Sequence, residues 1–433
     1  MKQFILLYVL LCVLFSVVSV FAQENWQSEA AARIEQYRKE NVTVIVLRND
    51  QPVEGVTVEV KLLQHEFLFG CNIFKWGRCN TPEENEEYKR RFADLFNFAT
   101  LGFYWWGYEN KKDMPQYDYT EQVAAWCKEN NVKLKGHPLA WNFRDPSWAK
   151  DMDDAELDRR QIDRITASVD RFRDKVETWD VINEVTEWNR KNCLEDAPRL
   201  SGLMAKQGAV EFAKKCFLAA QKANPSATLL INDYILDEKY VALIKKLVDT
   251  EGLPLYDVIG IQSHMHSGIW NNNQIWEICE RFSKFRKPLH FTELTILSTL
   301  EKFDWNNQNE TPTTEDGEQR QQDEVIRFYT MLFSHPSIEA ITWWDFSDQG
   351  AWMNAPAGLL RKDMTPKPVY NALRKLIKET WTTNESFKTD VTGTTQFRAF
   401  RGDYQFDITL PDGTKRKISD NISKEKHKIR IDL

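Results

Sequence analysis

Residues 177–183 read ETWDVIN, residues 208–223 read GAVEFAKKCFLAAQKA, and residues 228–233 read TLLIND. The first and last are short apolar runs that end on polar residues. The middle one places Phe212, Cys216 and Ala220 at helical spacing, with charge on the other face. A strand, a helix and a second strand joined by short links pair most readily in parallel, through a right-handed crossover. The same alternation runs outward in both directions. Upstream, Phe67–Phe74 precedes Glu83–Leu95, Asn97–Tyr104 precedes Asp118–Asn130, and Lys133–Trp141 precedes Asp154–Asp174. Downstream, Thr228–Asp233 precedes Glu238–Glu251, and Asp257–His264 precedes Gln274–Arg286. Leu289–Leu294 then precedes Gln319–Ser334, and Ile338–Asp345 precedes Pro368–Glu379. Eight strand–helix units in series predict an α/β chain closed as a (β/α)8 TIM barrel. An open nucleotide-binding sheet would carry a Gly-rich phosphate turn after a strand, and none is present.

The flanks do not share this rhythm. Val42–Leu47 and Val56–Leu62 are rich in β-branched residues, and Phe397–Phe400, Tyr404–Thr409 and Lys415–Ile418 resemble them beyond the barrel. They read as one small β module formed from the N- and C-terminal flanks. The expected organisation is 1–22 signal peptide, 23–63 N-terminal β segment, 64–380 catalytic barrel and 381–433 C-terminal β segment. The stretch from Ile296 to Glu318 is a long polar loop after the seventh strand, of the kind that forms rims and lids.

Among the 433 residues, 42% are hydrophobic and 28% charged, which excludes a disordered chain and a multi-span membrane protein. A net charge of -7 argues against a nucleic-acid partner. Lys2, the apolar run Phe4–Val20 and Ala22 form an export signal, so a secreted or periplasmic protein without stable membrane insertion is expected. Beyond Cys12 in that run there are six cysteines, with no CxxC and no zinc-type His/Cys spacing, so neither a metal nor a cofactor is expected. The sixteen tryptophans are more than a core of this size needs, and their other common use is stacking on ligand faces.

Active sites of such barrels lie at the C-terminal ends of the strands. Those positions hold His137, Asn183, Glu184, Asn232, Asp233, Gln262, His264, Glu293 and Trp344. Two glutamates on opposite strands, in a Trp-rich cleft, suit glycosidic-bond hydrolysis, in which one carboxyl donates a proton and the other attacks the anomeric carbon. A metal-dependent hydrolase using His264, His266, Glu293 and Asp233 is a weaker reading.

In order and spacing, Gly136–Trp141, Trp179–Glu184, Gln262–His264, Thr292–Leu294 and Thr342–Asp348 resemble the family 10 glycoside hydrolases, the endo-β-1,4-xylanase family. The resemblance implies a retaining double displacement with Glu184 as acid/base and Glu293 as nucleophile, about 5–5.5 Å apart. It also implies that Asn183 holds the sugar 2-hydroxyl and His264 orients Glu293. His137, Trp141, Trp344 and Trp352 would line the sugar at the cleavage point, with Gln262 beside them. Departures from the pattern fall on the glycone side. The family's Glu-Asn-x-x-Lys-Trp is replaced by Leu101–Trp106, its His by Asn142, its Gln by Arg144 and a Gly by Asp345, and Thr295 stands where an Asp is usual. Trp105 is expected to fill or stack in the distal glycone subsite, with Arg144 or Asp345 reading a substituent. The expected function is therefore cleavage of β-glycosidic bonds in xylan or a related plant or algal polysaccharide or its oligosaccharides. The alternative is a catalytically weak carbohydrate-binding protein on a hydrolase scaffold.

Overall fold

The structure is a computed structural model that describes residues 26–305 and 311–433. The expected export segment 1–22 lies outside the described residues, as does the middle of the loop after the seventh strand. No helix among the described residues is long and apolar enough to cross a membrane.

The chain forms two compact units. One comprises Phe67–Phe328 and Ser337–Thr380. It contains eight parallel strands: β1 (Leu68–Asn72), β2 (Phe98–Gly102), β3 (Lys133–His137), β4 (Thr178–Asn183), β5 (Thr228–Asp233), β6 (Val258–Met265), β7 (Leu289–Ile296) and β8 (Ile338–Trp343). Each pairs with its sequence neighbour, and β8 pairs with β1, so the sheet closes as the eight units predicted. The strands are buried on both faces because helices follow each of them, and their runs are accordingly apolar rather than alternating. Two helices, Lys191–Asp196 and Pro198–Gln207, lie in the link after β4, where the sequence reading placed none. The last predicted helix is regular over Pro368–Lys375 and continues as a π-turn over Leu376–Thr380.

Three barrel pairings depart from regular register, β7–β8 among them. The β4–β5 register shifts between Asp180 and Ile182, and the β6–β7 register shifts between Phe291 and Glu293. Such bulges re-aim side chains near the strand end, and each of these two lies at or just before a glutamate singled out above. Gly260 on β6 pairs with Asn232 on β5. A Cβ there would sit 2.7 Å from Asn232 Oδ1 and 2.9 Å from the Ile231 carbonyl oxygen. Gly260→Ala is expected to cost about 1–3 kcal/mol by overpacking, read as a lower midpoint of denaturant unfolding. An unchanged midpoint would show that β5 yields freely here.

The other unit comprises residues 26–66, Tyr329–Pro336 and Trp381–Leu433. Two four-stranded sheets face each other in it. Lys39–Arg48 lies between Thr394–Phe400 and Lys428–Asp432, with Gln51–Pro52 at its end. Thr57–His65 lies between Asn384–Lys388 and Gly402–Thr409, which pairs on to Lys415–Ile422. Alternate residues Val42, Val44, Val46 and Val56, Val58, Val60 meet Tyr404, Phe406, Ile408, Ile429 and Ile431 in one core. That period of two is the reason these segments are strands. The small module therefore does draw on both flanks. The helix over residues 26–38 and the strands Asn384–Lys388 and Lys428–Asp432 were not read from the sequence.

Candidate active site

Glu184 directly follows β4 and adopts a left-handed backbone conformation, φ 55° and ψ 35°. A non-glycine residue there costs on the order of 1–2 kcal/mol, and the Glu184 N–H donating to the Asn232 carbonyl at 2.8 Å holds it in place. Glu293 lies within β7. Both residues are almost completely buried, at 8% and 4% exposure.

A chain of four hydrogen bonds joins the two carboxyls. Asn232 Nδ2 donates to Glu293 Oε1 at 2.7 Å and to Asn183 Oδ1 at 2.8 Å. Gln262 Nε2 donates to the same Asn183 oxygen at 3.2 Å and to Glu184 Oε1 at 3.0 Å. Thr292 Oγ1 donates to Asn232 Oδ1 at 2.6 Å, which fixes the orientation of the Asn232 amide. The other Glu184 oxygen accepts from Arg190 Nη2. The other Glu293 oxygen lies 2.9 Å from His264 Nε2, whose partner nitrogen meets Thr295 Oγ1 at 2.8 Å. Thr295 thus occupies with a neutral hydroxyl the place where the resemblance expects a carboxylate.

Burial raises the Glu293 carboxyl pKa, but the His264 hydrogen bond and the nearby His137 and Lys135 outweigh it and hold it below the ordinary value. An ionised carboxylate with one oxygen pinned on each side is suited to attack. Beneath it, Asp180 is also fully buried. Lys135 Nζ lies 2.9 Å from its Oδ2, and His137 Nδ1 donates to the same oxygen at 2.6 Å. Burial pushes Asp180 up, while Lys135 and His137 together bring it below its usual range.

Rings close the cleft. Trp344 packs edge-on to Phe74, His137 and His264 at 5.6, 5.5 and 5.8 Å. Trp352, 42% exposed, lies 4.8 Å from His264 and 5.1 Å from His266. Its backbone N–H donates to Asp345 Oδ1 at 3.1 Å, and burial pushes the Asp345 carboxyl up to about 7. Asp345 therefore anchors the Trp352 loop. On the other side Tyr104 lies edge-on to His137 at 5.5 Å and 5.1 Å from Trp106, while Trp106 lies 5.9 Å from Trp141. Trp141 stacks on Phe143 at 4.5 Å.

Of the residues singled out by sequence, the structure brings Glu184, Glu293, Asn183, Gln262, His264, His137, Trp141, Trp344 and Trp352 together. It does not bring Trp105. That ring is buried within its own loop, with Nε1 donating to Glu109 Oε2 at 2.9 Å and Trp148 edge-on at 5.6 Å. Its half-buried neighbour Trp106 takes the position facing Trp141. Asn142 is also turned inward, donating to the Trp188 carbonyl at 2.6 Å and to Ser201 Oγ at 2.9 Å, so it ties two loops together. Arg144 is exposed and makes no hydrogen bond or ion pair among the described residues. The six described cysteines are free thiols. No group of three or more His, Cys, Asp or Glu side chains among the described residues has a metal-ligand arrangement. Asn232 was among the strand-end candidates but carried no role, and Arg190 was not read as a site residue at all. Asn232 stood in plain view at a strand end, whereas nothing around Arg190 marked it.

The closed parallel barrel thus carries two buried carboxyls, Glu184 just after β4 and Glu293 within β7, joined by a chain of side-chain hydrogen bonds. The model of glycosyl hydrolase family 10 matches residues 61–376, and the chain belongs to that family. The anti-sigma-I factor RsgI6 of Acetivibrio thermocellus is 26% identical over 409 residues, 92% of this chain and 49% of the relative. Endo-1,4-beta-xylanase 3 of Hypocrea jecorina is 27% identical over 277 residues, 62% of this chain and 71% of the relative. The chain spans only 36% of the endo-1,4-beta-xylanase/feruloyl esterase of Xylanibacter ruminicola. Among solved structures, xylanase 10B of Thermotoga petrophila in complex with xylobiose superposes with a TM-score of 0.60 at 23% identity. That match covers 73% of this chain and 95% of the other, and shows the fold.

Proposed function

We propose that this protein is a retaining glycoside hydrolase that cleaves β-glycosidic bonds in xylan or a related plant or algal polysaccharide, or in oligosaccharides from it. The observation that carries the reading is the carboxyl pair: two buried glutamates on β4 and β7, linked through Asn183, Asn232 and Gln262. Glu293 attacks the anomeric carbon as nucleophile. Glu184 first protonates the departing oxygen and then takes a proton from the incoming water. His264 and Asn232 orient Glu293, and Asn183 is placed to meet the sugar 2-hydroxyl. The similarity to xylanases supports xylan as the substrate class. The ring wall of Tyr104, Trp106, Trp141 and Phe143 supports a glycone side recognised by stacking more than by hydrogen bonds, because polar groups that would read hydroxyls are missing there. The apolar run at the N-terminus supports export.

A second reading is favoured by one observation. RsgI6, named for a regulatory role, matches 92% of this chain, well beyond the residues that the family model covers. On that reading the protein binds carbohydrate and turns it over poorly. One experiment separates the two. The protein is incubated with xylan, other β-glycans and their oligosaccharides, and the anomers of the first product are followed by proton NMR. The hydrolase reading expects the β anomer first, followed by mutarotation. The α anomer first would contradict retention, and saturable binding without product would select the second reading.

A further inference from the structure

Both oxygens of Glu184 face N–H donors, Gln262 Nε2 on Oε1 and Arg190 Nη2 on Oε2. With an N–H donor on each oxygen, one of them from a guanidinium, the contacts are those that suit an acceptor-only carboxylate. The two steps of a double displacement need Glu184 in opposite states, acid first and base second. The resting geometry is that of the second step.

Arg190 is fixed where it can impose this state. Its N–H donates to the Glu187 carbonyl at 3.1 Å, its Nε to Asn192 Oδ1 at 3.2 Å, and its guanidinium lies 5.5 Å over the Tyr234 ring. Tyr234 is held in turn, its hydroxyl donating to Glu187 Oε2 at 3.0 Å, while Lys239 lies 3.1 Å from the other Glu187 oxygen. The ion pair is sheltered, with the two side chains 17% and 11% exposed. Titratable groups that interact with Glu184 include Cys193 from its own loop, Asp233 and Tyr234 at the end of β5, and Tyr104 after β2. Glu293 and His264 lie across the hydrogen-bond chain. Arg190 brings a fixed positive charge into direct contact with Glu184.

We propose that Arg190 is a positioning residue that holds Glu184 ionised and must release Oε2 before the first step can occur. Once released, Glu184 carries a proton and passes it to the glycosidic oxygen as the bond from that oxygen to C1 breaks and the bond from Glu293 to C1 forms. In the second step the ionised Glu184 takes a proton from water as the water oxygen bonds to C1 and Glu293 departs. Arg190 therefore favours the second step at the expense of the first, and the penalty falls on substrates whose leaving oxygen needs the proton. The proposal rests on the reading of Glu184 as acid/base.

The test is the pH profile of kcat/KM, which follows the first step, for the wild type, Arg190→Met and Arg190→Lys. The probes are phenyl and dinitrophenyl β-xylobiosides, whose leaving oxygens do and do not need protonation. With the phenyl substrate, Arg190→Met is expected to move the basic limb up by about one pH unit, a rise of about tenfold on the alkaline side. Arg190→Lys retains the charge and keeps the limb near its wild-type position. The dinitrophenyl profile shows no such displacement. A basic limb that stays in place or moves down in Arg190→Met overturns the proposal, as does an equal displacement with both substrates. Failure of the wild type to hydrolyse either probe, or any β-glycan, overturns the hydrolase reading and this inference with it.

Discussion

Glu293→Ala is expected to abolish turnover of every glycoside, with kcat falling on the order of 10^5-fold or more, as removal of a covalent nucleophile does. The groups that bond Glu293 offer no substitute nucleophile. Its oxygens are held by Asn232 Nδ2 and His264 Nε2, and these groups are donors rather than nucleophiles. The substitution also leaves the buried Asn232 amide and the part-buried His264 ring without their acceptor, the former at about 1–3 kcal/mol. Thermal unfolding should accompany the kinetics, and Glu293→Gln serves as the shape-preserving partner. Both variants should be inactive while Gln remains the more stable. Wild-type turnover in either folded variant would remove Glu293 from the chemistry.

The second large effect is selective. Glu184→Ala is expected to lose about 10^2–10^4-fold in kcat/KM on substrates with poor leaving groups. Activated aryl glycosides should largely be spared in the first step, because their leaving oxygen departs unprotonated. Their second step then becomes limiting for want of a base. Azide should restore turnover by attacking the glycosyl enzyme directly, giving a β-glycosyl azide. Equal losses with good and poor leaving groups would show that Glu184 acts through structure instead of proton transfer.

The barrel was legible because each strand–helix unit announces itself locally. An apolar run ending on a polar residue, then a helical period, is enough to place β4, the helix Ala209–Ala223 and β5. The carboxyl pair was legible for the same reason, since Glu184 and Glu293 stand at or near strand ends. Less could be read of what surrounds them. Trp105 and Trp106 are adjacent, and nothing in the sequence tells which ring turns inward. The short helix Trp105–Tyr108 decides it by placing Glu109 under the Trp105 indole. Asn142 was read as a cleft residue because its position invited it, yet its partners Trp188 and Ser201 lie 46 and 59 residues away. Arg190 meets Glu184 only because a turn after β4 folds back over the strand end. Thr295 keeps His264 in place where an Asp was expected, a substitution whose sense depends on a contact between neighbouring strands.

The account depends most directly on a covalent bond between Glu293 and the sugar. A β-glycoside fluorinated at C2 and carrying a good leaving group should form this bond quickly and release it slowly. Intact-mass measurement followed by peptide mapping is expected to show one glycosyl group per chain, attached at Glu293 and lost in Glu293→Gln. Continued turnover of the same compound without an adduct, or an adduct on any other residue, would contradict the account.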